Sequence, residues 1–325
     1  MLEELKKRNI TLFDFLLLPF TTFIGYFHYY LSIVRKVVRN WPDIILFRLG
    51  IKKKLIIKLR NGKEIKIEKM DDYFNFWKNF WNSEESLIFL SKGVKFDKRK
   101  RQIEFEYKGH LIRLYSLDSI GSYKEQFIKE PYKWLKVKGK EVVDVGAYIG
   151  DTAIYFAVNG AKHVYAFEPY PFSYRIAVKN VKLNKLENKI TVINEAIDGE
   201  NKIIYIDKNY KNMSSDGLRE FKKGKKIKVV TLEEVVKRFK LKDAVLKMDC
   251  EGCEYNSILN TPNEILRNFE QIMLEYHHGY LNLKKKLKEA GFEVKASLPK
   301  YTLGNTIQKQ GVVVGYLYAQ RLKKS

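Results

Sequence analysis

The chain has 325 residues, of which 45% are apolar and 14% aromatic, enough for one large domain or two ordinary ones with a buried core. Its two cysteines exclude a disulfide-rich scaffold. At the N-terminus, acids precede the basic cluster and no small-residue cleavage site follows, so a secretory signal is not indicated and we expect a cytoplasmic protein. The formal net charge of +23 favours polyanionic partners such as nucleic acid, anionic lipid or phosphorylated glycan, without choosing among them.

The most apolar and aromatic stretch is residues 10–34, and a basic flank follows it up to residue 39. Its length suits a bilayer span, which takes ~20 residues, but an acid, a proline and a histidine interrupt it. Three interpretations stay open: peripheral contact of residues 10–39 with the inner face of a membrane, a true span, or a helical pair. Such a pair would pack on this chain or on a second copy in a homo-oligomer.

The sequence predicts three regions: an N-terminal helical segment (1–40), a small α+β domain (41–118) and a larger α/β domain (119–325). In the middle region we expect a β-hairpin over 54–69 that turns at Asn61-Gly62, because Asn-Gly favours two-residue turns. An amphipathic helix over 71–90 and strands at 94–96, 102–107 and 110–115 complete it, and residues 123–135 are predicted to be helical.

From residue 141 onward strands and helices alternate, which indicates a mostly parallel sheet. We expect a seven-stranded α/β sheet of Rossmann-like type whose last two strands are antiparallel. The seven predicted strands of the sheet are 141–145, 163–167, 190–194, 244–248, 271–276, 292–296 and 312–318. A hairpin-like excursion at 202–206 and a further strand at 226–230 are expected between the third and fourth of them. The predicted helices are 151–159, 171–184, 232–239 (with Thr231 as its cap) and 282–290.

A glycine turn follows the first strand of this domain, in the order Glu-Val-Val-Asp-Val-Gly-Ala-Tyr-Ile-Gly-Asp over 141–151. Gly146 and Gly150 are spaced G-x-x-x-G rather than G-x-G-x-x-G, so a pyrophosphate site is not indicated. The acid Asp144 instead suits a cationic ligand without phosphates at the carboxyl end of the strand, and S-adenosylmethionine (SAM) fits that description. A turn or helix-capping acid is the alternative for Asp144.

The second strand of the unit ends in another acid, Glu168, 22 positions after Gly146. An acid at this place in a βαβ unit can hydrogen-bond both hydroxyls of a ribose. The alternative is a surface acid at a strand end.

Three acids follow strand 244–248 within six residues: Asp249, Glu251 and Glu254. Close carboxylates repel one another, so one of them could act as a base, or they could share a divalent metal. The alternative is a polar turn whose acids lie at the N-terminus of the next helix.

Cys250 and Cys253 form a C-x-x-C pair in the same turn, and His277 and His278 follow the next strand. The four could complete a zinc site, but we favour two small buried residues beside a glycine turn. A histidine at this edge could take a proton from a hydroxyl near neutral pH, and His277 is the first candidate.

The stretch from about Tyr132 to Tyr276 resembles the FkbM family of SAM-dependent methyltransferases. The matching motifs are Val143–Asp151, Ala166–Pro169, Asn194–Ile197, Lys247–Glu254 and Leu274–His277. The chain departs from the family at Tyr148, where Asn is usual, and at Cys250 and Cys253, where small apolar residues are usual. Residues 1–118 match no family that we can name.

The resemblance implies O-methylation of a sugar or natural-product hydroxyl, with SAM as cofactor and a small-molecule or glycan acceptor. Together, the motifs and the resemblance give Asp249, Glu251 and His277 as catalytic candidates and the following residues as cofactor-binding: Asp144, Gly146, Ala147, Gly150, Glu168, Pro169, Glu195 and Ala196. No residue is assigned to a metal. A nucleic-acid methyltransferase is less favoured, because the turn after strand 244–248 is strongly acidic and lacks the Asn-Pro-Pro-Tyr type of amine-binding sequence. A non-catalytic scaffold at a membrane is the third hypothesis.

Overall fold

The computed structural model describes residues 35–36, 38–48, 51–62, 64–67, 94–97, 99–115, 119–212, 217–302 and 312–322. The chain divides into two compact units, with the boundary between Lys124 and Glu125. The predicted regions 1–40, 41–118 and 119–325 stay a prediction about domain limits.

The first unit contains short helices and two small antiparallel sheets. Its elements are α1 (Trp41–Arg48), β1 (Leu55–Lys58), β2 (Glu64–Ile67), β3 (Lys95–Asp97), β4 (Gln102–Tyr107), β5 (His110–Tyr115) and α2 (Ser119–Ser122). β1 pairs with β2, which confirms the predicted hairpin, but Lys58 faces Glu64, so five residues rather than two connect the strands. β3, β4 and β5 form the second sheet in that order, as the three predicted strands required.

The apolar stretch 10–34 and the predicted helix 71–90 lie outside the described residues. Within the described part of the chain, no helix has both the length and the apolar character needed to cross a bilayer. The predicted helix over 123–135 is shorter than expected: a π-helical segment covers Tyr123–Lys129, and turns follow from Pro131. Pro131 cannot supply the backbone N–H that continuing the helix would need.

The second unit is built on a seven-stranded sheet. Its strands are β6 (Glu141–Val145), β7 (His163–Phe167), β8 (Ile190–Ile193), β12 (Ala244–Met248), β13 (Phe269–Tyr276), β14 (Phe292–Ala296) and β16 (Val312–Arg321). Their order in the sheet is β8-β7-β6-β12-β13-β16-β14. The first five in this order are mutually parallel, whereas β16 runs antiparallel to both β13 and β14. The Rossmann-like sheet with an antiparallel last pair is therefore confirmed.

Helices cover this sheet, and its central strands are mostly buried. All five residues of β12 are buried, as expected for a parallel strand covered on both faces. The helices are α3 (Asp151–Val158), α4 (Pro171–Leu183), α5 (Leu232–Phe239), α6 (Cys253–Asn260), α7 (Asn263–Leu266) and α8 (Leu281–Glu289). Thr231 caps α5 as predicted, since its hydroxyl accepts a hydrogen bond from the Glu234 backbone N–H at 3.2 Å.

Three strands form a separate small sheet beside the main one: β9 (Ala196–Ile197), β10 (Lys202–Ile206) and β11 (Lys225–Val230). β15 (Lys300–Thr302), α6 and α7 were not predicted. The carboxyl ends of β6, β7, β12 and β13 meet at one edge of the main sheet. The strand order reverses beside β6, which is where open α/β sheets bind their ligands.

Candidate functional site

The glycine turn after β6 lies directly against the turn after β12. Gly146 has a φ of +75°, and a Cβ placed on it would lie 1.9 Å from the backbone oxygen of Asp249. The backbone N–H groups of Gly146 and Ala147 both donate to the Phe167 carbonyl. Glycine is therefore required at 146 because two backbone segments cross there, whereas the sequence had suggested room for a ligand.

Gly150 has a different neighbour. It caps α3 with a φ of +81°, and a Cβ there would lie 3.2 Å from Ala177 of α4. Its small size lets α3 start close to α4, and it does not border the cleft described below.

Beneath the glycine turn, Asp144 and Lys247 form a fully buried ion pair. Their charged atoms are 2.9 Å apart, and neither side chain is more than 1% exposed. Thr152 donates a further hydrogen bond to Asp144 at 2.6 Å. Asp144 thus supports the turn from below and does not reach the cleft.

Lys247 extends this network to the turn itself. Its ammonium group donates to the carbonyls of Val145 at 3.1 Å and Gly146 at 2.9 Å. Burial opposes the charge of Lys247, but the carboxylates of Asp144 and Asp249 outweigh that effect and raise its pKa above the ordinary value. Sequence reasoning gave Lys247 no role; a lone lysine in an otherwise apolar strand was the available signal.

Glu168 directly follows β7 and lies at the cleft with only 3% of its surface exposed. Its two carboxyl oxygens accept the backbone N–H groups of Tyr148 and Tyr170, each at 2.9 Å. Burial raises the pKa of Glu168 to about 8, against the opposing effect of these two hydrogen bonds. Tyr148 donates from a left-handed backbone with a φ of +44°, a conformation that asparagine adopts more easily than tyrosine.

Glu195 and Ala196, where β9 begins, form another part of the same cleft. Glu195 accepts a hydrogen bond from Arg238 of α5 at 2.7 Å, while Ala196 is buried. Arg238 was not identified from the sequence, since it lies 43 residues from its partner.

The three acids of the turn after β12 differ in how deeply their side chains are buried. Glu254 is fully buried and accepts the backbone N–H groups of Cys250 at 2.8 Å and Gly252 at 2.9 Å, so it holds the turn. Asp249 and Glu251 are part-exposed and line the cleft.

His277 follows β13 and lies among all three acids. Its Nε2 atom is 3.3 Å from Glu251 and 3.9 Å from Asp249, and its Nδ1 atom is 3.5 Å from Glu254. Burial lowers the pKa of His277, but Glu251 and Glu254 outweigh it and hold the pKa well above its usual value. The imidazole is therefore charged at neutral pH, which suits positioning of the carboxylates better than the direct proton removal expected from the sequence.

Two further side chains at this edge of the sheet were not predicted from the sequence to belong to the site. The hydroxyl of the buried Tyr132 donates to Asp249 at 3.1 Å across 117 residues of sequence. Burial, together with the nearby Asp249, raises the pKa of Glu275 well above its usual range.

Cys250 and Cys253 are joined by a disulfide, with their Cα atoms 5.5 Å apart. Both expectations for the pair were wrong: the bonded sulfurs are not available to a zinc ion, and both residues are part-exposed at the cleft rather than buried. The turn brings the two Cα atoms within the range that a disulfide requires.

These groups border a single cleft. Its lining includes most of the predicted residues: Gly146, Glu168, Pro169, Glu195, Ala196, Asp249 and Glu251. Four predicted residues do not line it: Asp144, Ala147, Gly150 and His277. The ligand atoms of Asp249, Glu251 and His277 all lie within 4.8 Å of one another, so this trio has the donor set to hold a divalent cation.

Residues 144–294 match the model of the methyltransferase FkbM domain. These residues form an FkbM-family methyltransferase domain. The match begins within β6, ends within β14 and includes every residue that lines the cleft.

One curated relative matches a shorter part of the chain. A ribosomal protein L11 methyltransferase of Carboxydothermus hydrogenoformans is 43% identical over 67 residues, 20% of this chain and 22% of that protein. The chain thus spans about a fifth of the length of this curated relative.

Among solved structures, an FkbM methyltransferase of Methylobacillus flagellatus is 13% identical, with 62% of this chain and 53% of that one covered and a TM-score of 0.39. TYW2 of M. jannaschii, solved in complex with AdoMet, is 17% identical, with 70% and 90% covered and a TM-score of 0.35.

Proposed function

We propose that SAM binds in the cleft with its ribose at Glu168 and its adenine near Glu195 and Ala196. Four acidic side chains border the cleft, those of Glu168, Glu195, Asp249 and Glu251. An anionic cleft favours a sulfonium cation and disfavours phosphates. The buried carboxyl of Glu168 has unused lone pairs, because each oxygen accepts one backbone N–H, and two ribose hydroxyls would satisfy them.

The reaction we propose is methyl transfer to a hydroxyl group, and the pairing of Asp249 and Glu251 at the cleft supports it most. SAM, when bound, supplies an electrophilic methyl group. As the acceptor oxygen bonds to the methyl carbon and the carbon–sulfur bond breaks, the hydroxyl proton must leave. A carboxylate of Asp249 or Glu251 takes it, while the charged His277 and the Tyr132 hydroxyl hold these acids in place.

The acceptor we propose is a hydroxyl of a sugar, glycan or related small molecule, as the family resemblance implies. The test is incubation of the full chain with methyl-labelled SAM and fractionated cell extract. Label in an alkali-stable methyl ether of a glycan or small molecule supports the proposal. Label confined to RNA or protein, or no incorporation with any fraction, contradicts it.

A second candidate is methylation of RNA, which an exposed basic run favours. Five lysines between residues 222 and 228 lie exposed on and before β11, adding to the net charge of +23. A gel-shift series in rising salt distinguishes this candidate, because binding to phosphates weakens steeply with salt. A third, non-catalytic candidate is a scaffold that binds SAM but transfers no methyl group.

We further propose that the enzyme works in the cytoplasm at the inner face of a membrane, on a lipid-linked or membrane-proximal glycan. The support is the apolar stretch 10–34 with its basic flank Arg35, Lys36 and Arg39.

A further inference from the structure

The disulfide between Cys250 and Cys253 lies within the candidate catalytic turn. The short ring that it closes contains Glu251 and Gly252, and Asp249 precedes it directly. Both cysteines line the cleft and are part-exposed, so a small thiol reagent can reach them.

Within the ring, Glu251 has a backbone conformation that a glutamate seldom adopts. Glu251 has a φ of +57° and Gly252 one of +123°, both in the left-handed half of conformational space. In this conformation the Glu251 carboxylate lies 3.3 Å from Nε2 of His277. An open ring would allow Glu251 to return to ordinary backbone angles, which would withdraw its carboxylate from His277.

The rest of the turn has supports that do not depend on the disulfide. Glu254 accepts the backbone N–H groups of Cys250 and Gly252, and α6 carries its buried side chains into the core. Opening the disulfide should therefore release Glu251 without unfolding the domain.

We propose that Cys250 and Cys253 form a reversible redox site that switches methyl transfer, with the disulfide form active. In the switching step, a small dithiol attacks one sulfur as its thiolate and forms a mixed disulfide. Its second thiol then displaces the protein sulfur, which leaves two protein thiols and one oxidised reagent. This proposal rests on the proposed role of Glu251 in the cleft.

The experiment places the full chain in buffers of oxidised or reduced dithiothreitol and measures three quantities. Maleimide labelling read by intact mass should count no free thiols in the oxidised buffer and two in the reduced one. Turnover should fall at least ~10-fold on reduction, because small displacements of catalytic groups cost that much, and should return on reoxidation. The ring resonances of His277, one of only five histidines, should shift on reduction.

The matched control is the double variant Cys250→Ala/Cys253→Ala, for which turnover and the His277 resonances should be the same in both buffers. A His277→Gln variant assigns the resonance by its loss. Two labelled thiols in the oxidised buffer, or an unmoved His277 resonance on reduction of the parent chain, would overturn the proposal. Absence of methyl transfer in both buffers would refute the proposed function instead, and the thiol count and the resonance would still decide the redox site.

Discussion

Lys247 and Asp144 face each other in register on neighbouring parallel strands, and their charged atoms are 2.9 Å apart with both side chains out of contact with solvent. The ammonium group of Lys247 also binds the two carbonyls that open the glycine turn. One buried cation thus fixes the carboxyl ends of β6 and β12, the two strands whose turns border the cleft.

Breaking this pair should be costly, because each single substitution leaves a buried charge without its partner. We expect Lys247→Met and Asp144→Asn each to lower the free energy of unfolding by ~3–5 kcal/mol. The double variant should cost less than the sum of the two. Urea unfolding of the four proteins measures the coupling. Single variants within ~0.5 kcal/mol of the parent, as for surface positions, would show that the pair does not support the turn.

Because Glu168 is protonated in the folded chain, the free energy of unfolding should fall as the pH rises. Its pKa is about 8 in the folded chain against an ordinary value of 4.5, so the folded state binds a proton that the unfolded state releases between these values. The stabilisation is complete below 4.5 and is lost as the pH rises through 8. Relative to the parent, the free energy of unfolding of Glu168→Gln should therefore rise by up to ~1.4 kcal/mol per pH unit across that window. Urea unfolding without ligand at several pH values measures it, and two parallel stability curves would refute the shift.

Asp249 and His277 should matter for turnover and not for cofactor binding. We expect Asp249→Asn and His277→Ala to bind SAM like the parent chain but to lose ~10²-fold or more in turnover. Calorimetry and a methyl-transfer assay on the same preparations separate the two effects. If both variants turn over within a few-fold of the parent, the acids have another role. Activity that a chelator removes and Mg²⁺ restores would make Asp249, Glu251 and His277 metal ligands instead.

The fold and half of the site followed from local patterns in the sequence. Strand–helix alternation predicted the sheet, and because parallel strands end at one edge, it also placed Glu168 and Asp249 at the same edge. Glu195 followed from the family resemblance. Each of these residues directly follows an apolar strand or lies within a few residues of its end, and such a pattern is visible in the sequence alone.

The remaining parts depend on register and distance, which the sequence does not carry. Lys247 finds Asp144 only because β12 and β6 align these two positions, and Tyr132 reaches Asp249 across 117 residues. Gly146 was recognised as special, but the crossing of the Asp249 backbone that requires it is a tertiary contact. The C-x-x-C spacing alone could not predict that Cys250 and Cys253 form a disulfide, since the geometry of the turn decides whether the two sulfurs come within bonding distance.

The N-terminal stretch should bind anionic membranes. Each basic residue of its flank near an anionic surface contributes ~1 kcal/mol, and apolar burial adds to this. We expect the full chain to sediment with liposomes rich in anionic lipid at low salt, and a chain starting at residue 41 to stay in solution. If both chains behave alike, residues 10–34 pack on protein, and the proposal of a lipid-linked acceptor loses its support.

The affinity of the Glu168→Ala variant for SAM tests the central claim, that the cleft holds SAM by its ribose, most directly. Each of the two ribose hydrogen bonds to this carboxyl contributes roughly 1 kcal/mol, so calorimetry should show the affinity lowered by tenfold or more. Glu187→Ala, at an exposed position after α4, serves as the matched control and should bind SAM like the parent chain. An unchanged affinity in a folded Glu168→Ala protein would contradict the placement of SAM in this cleft.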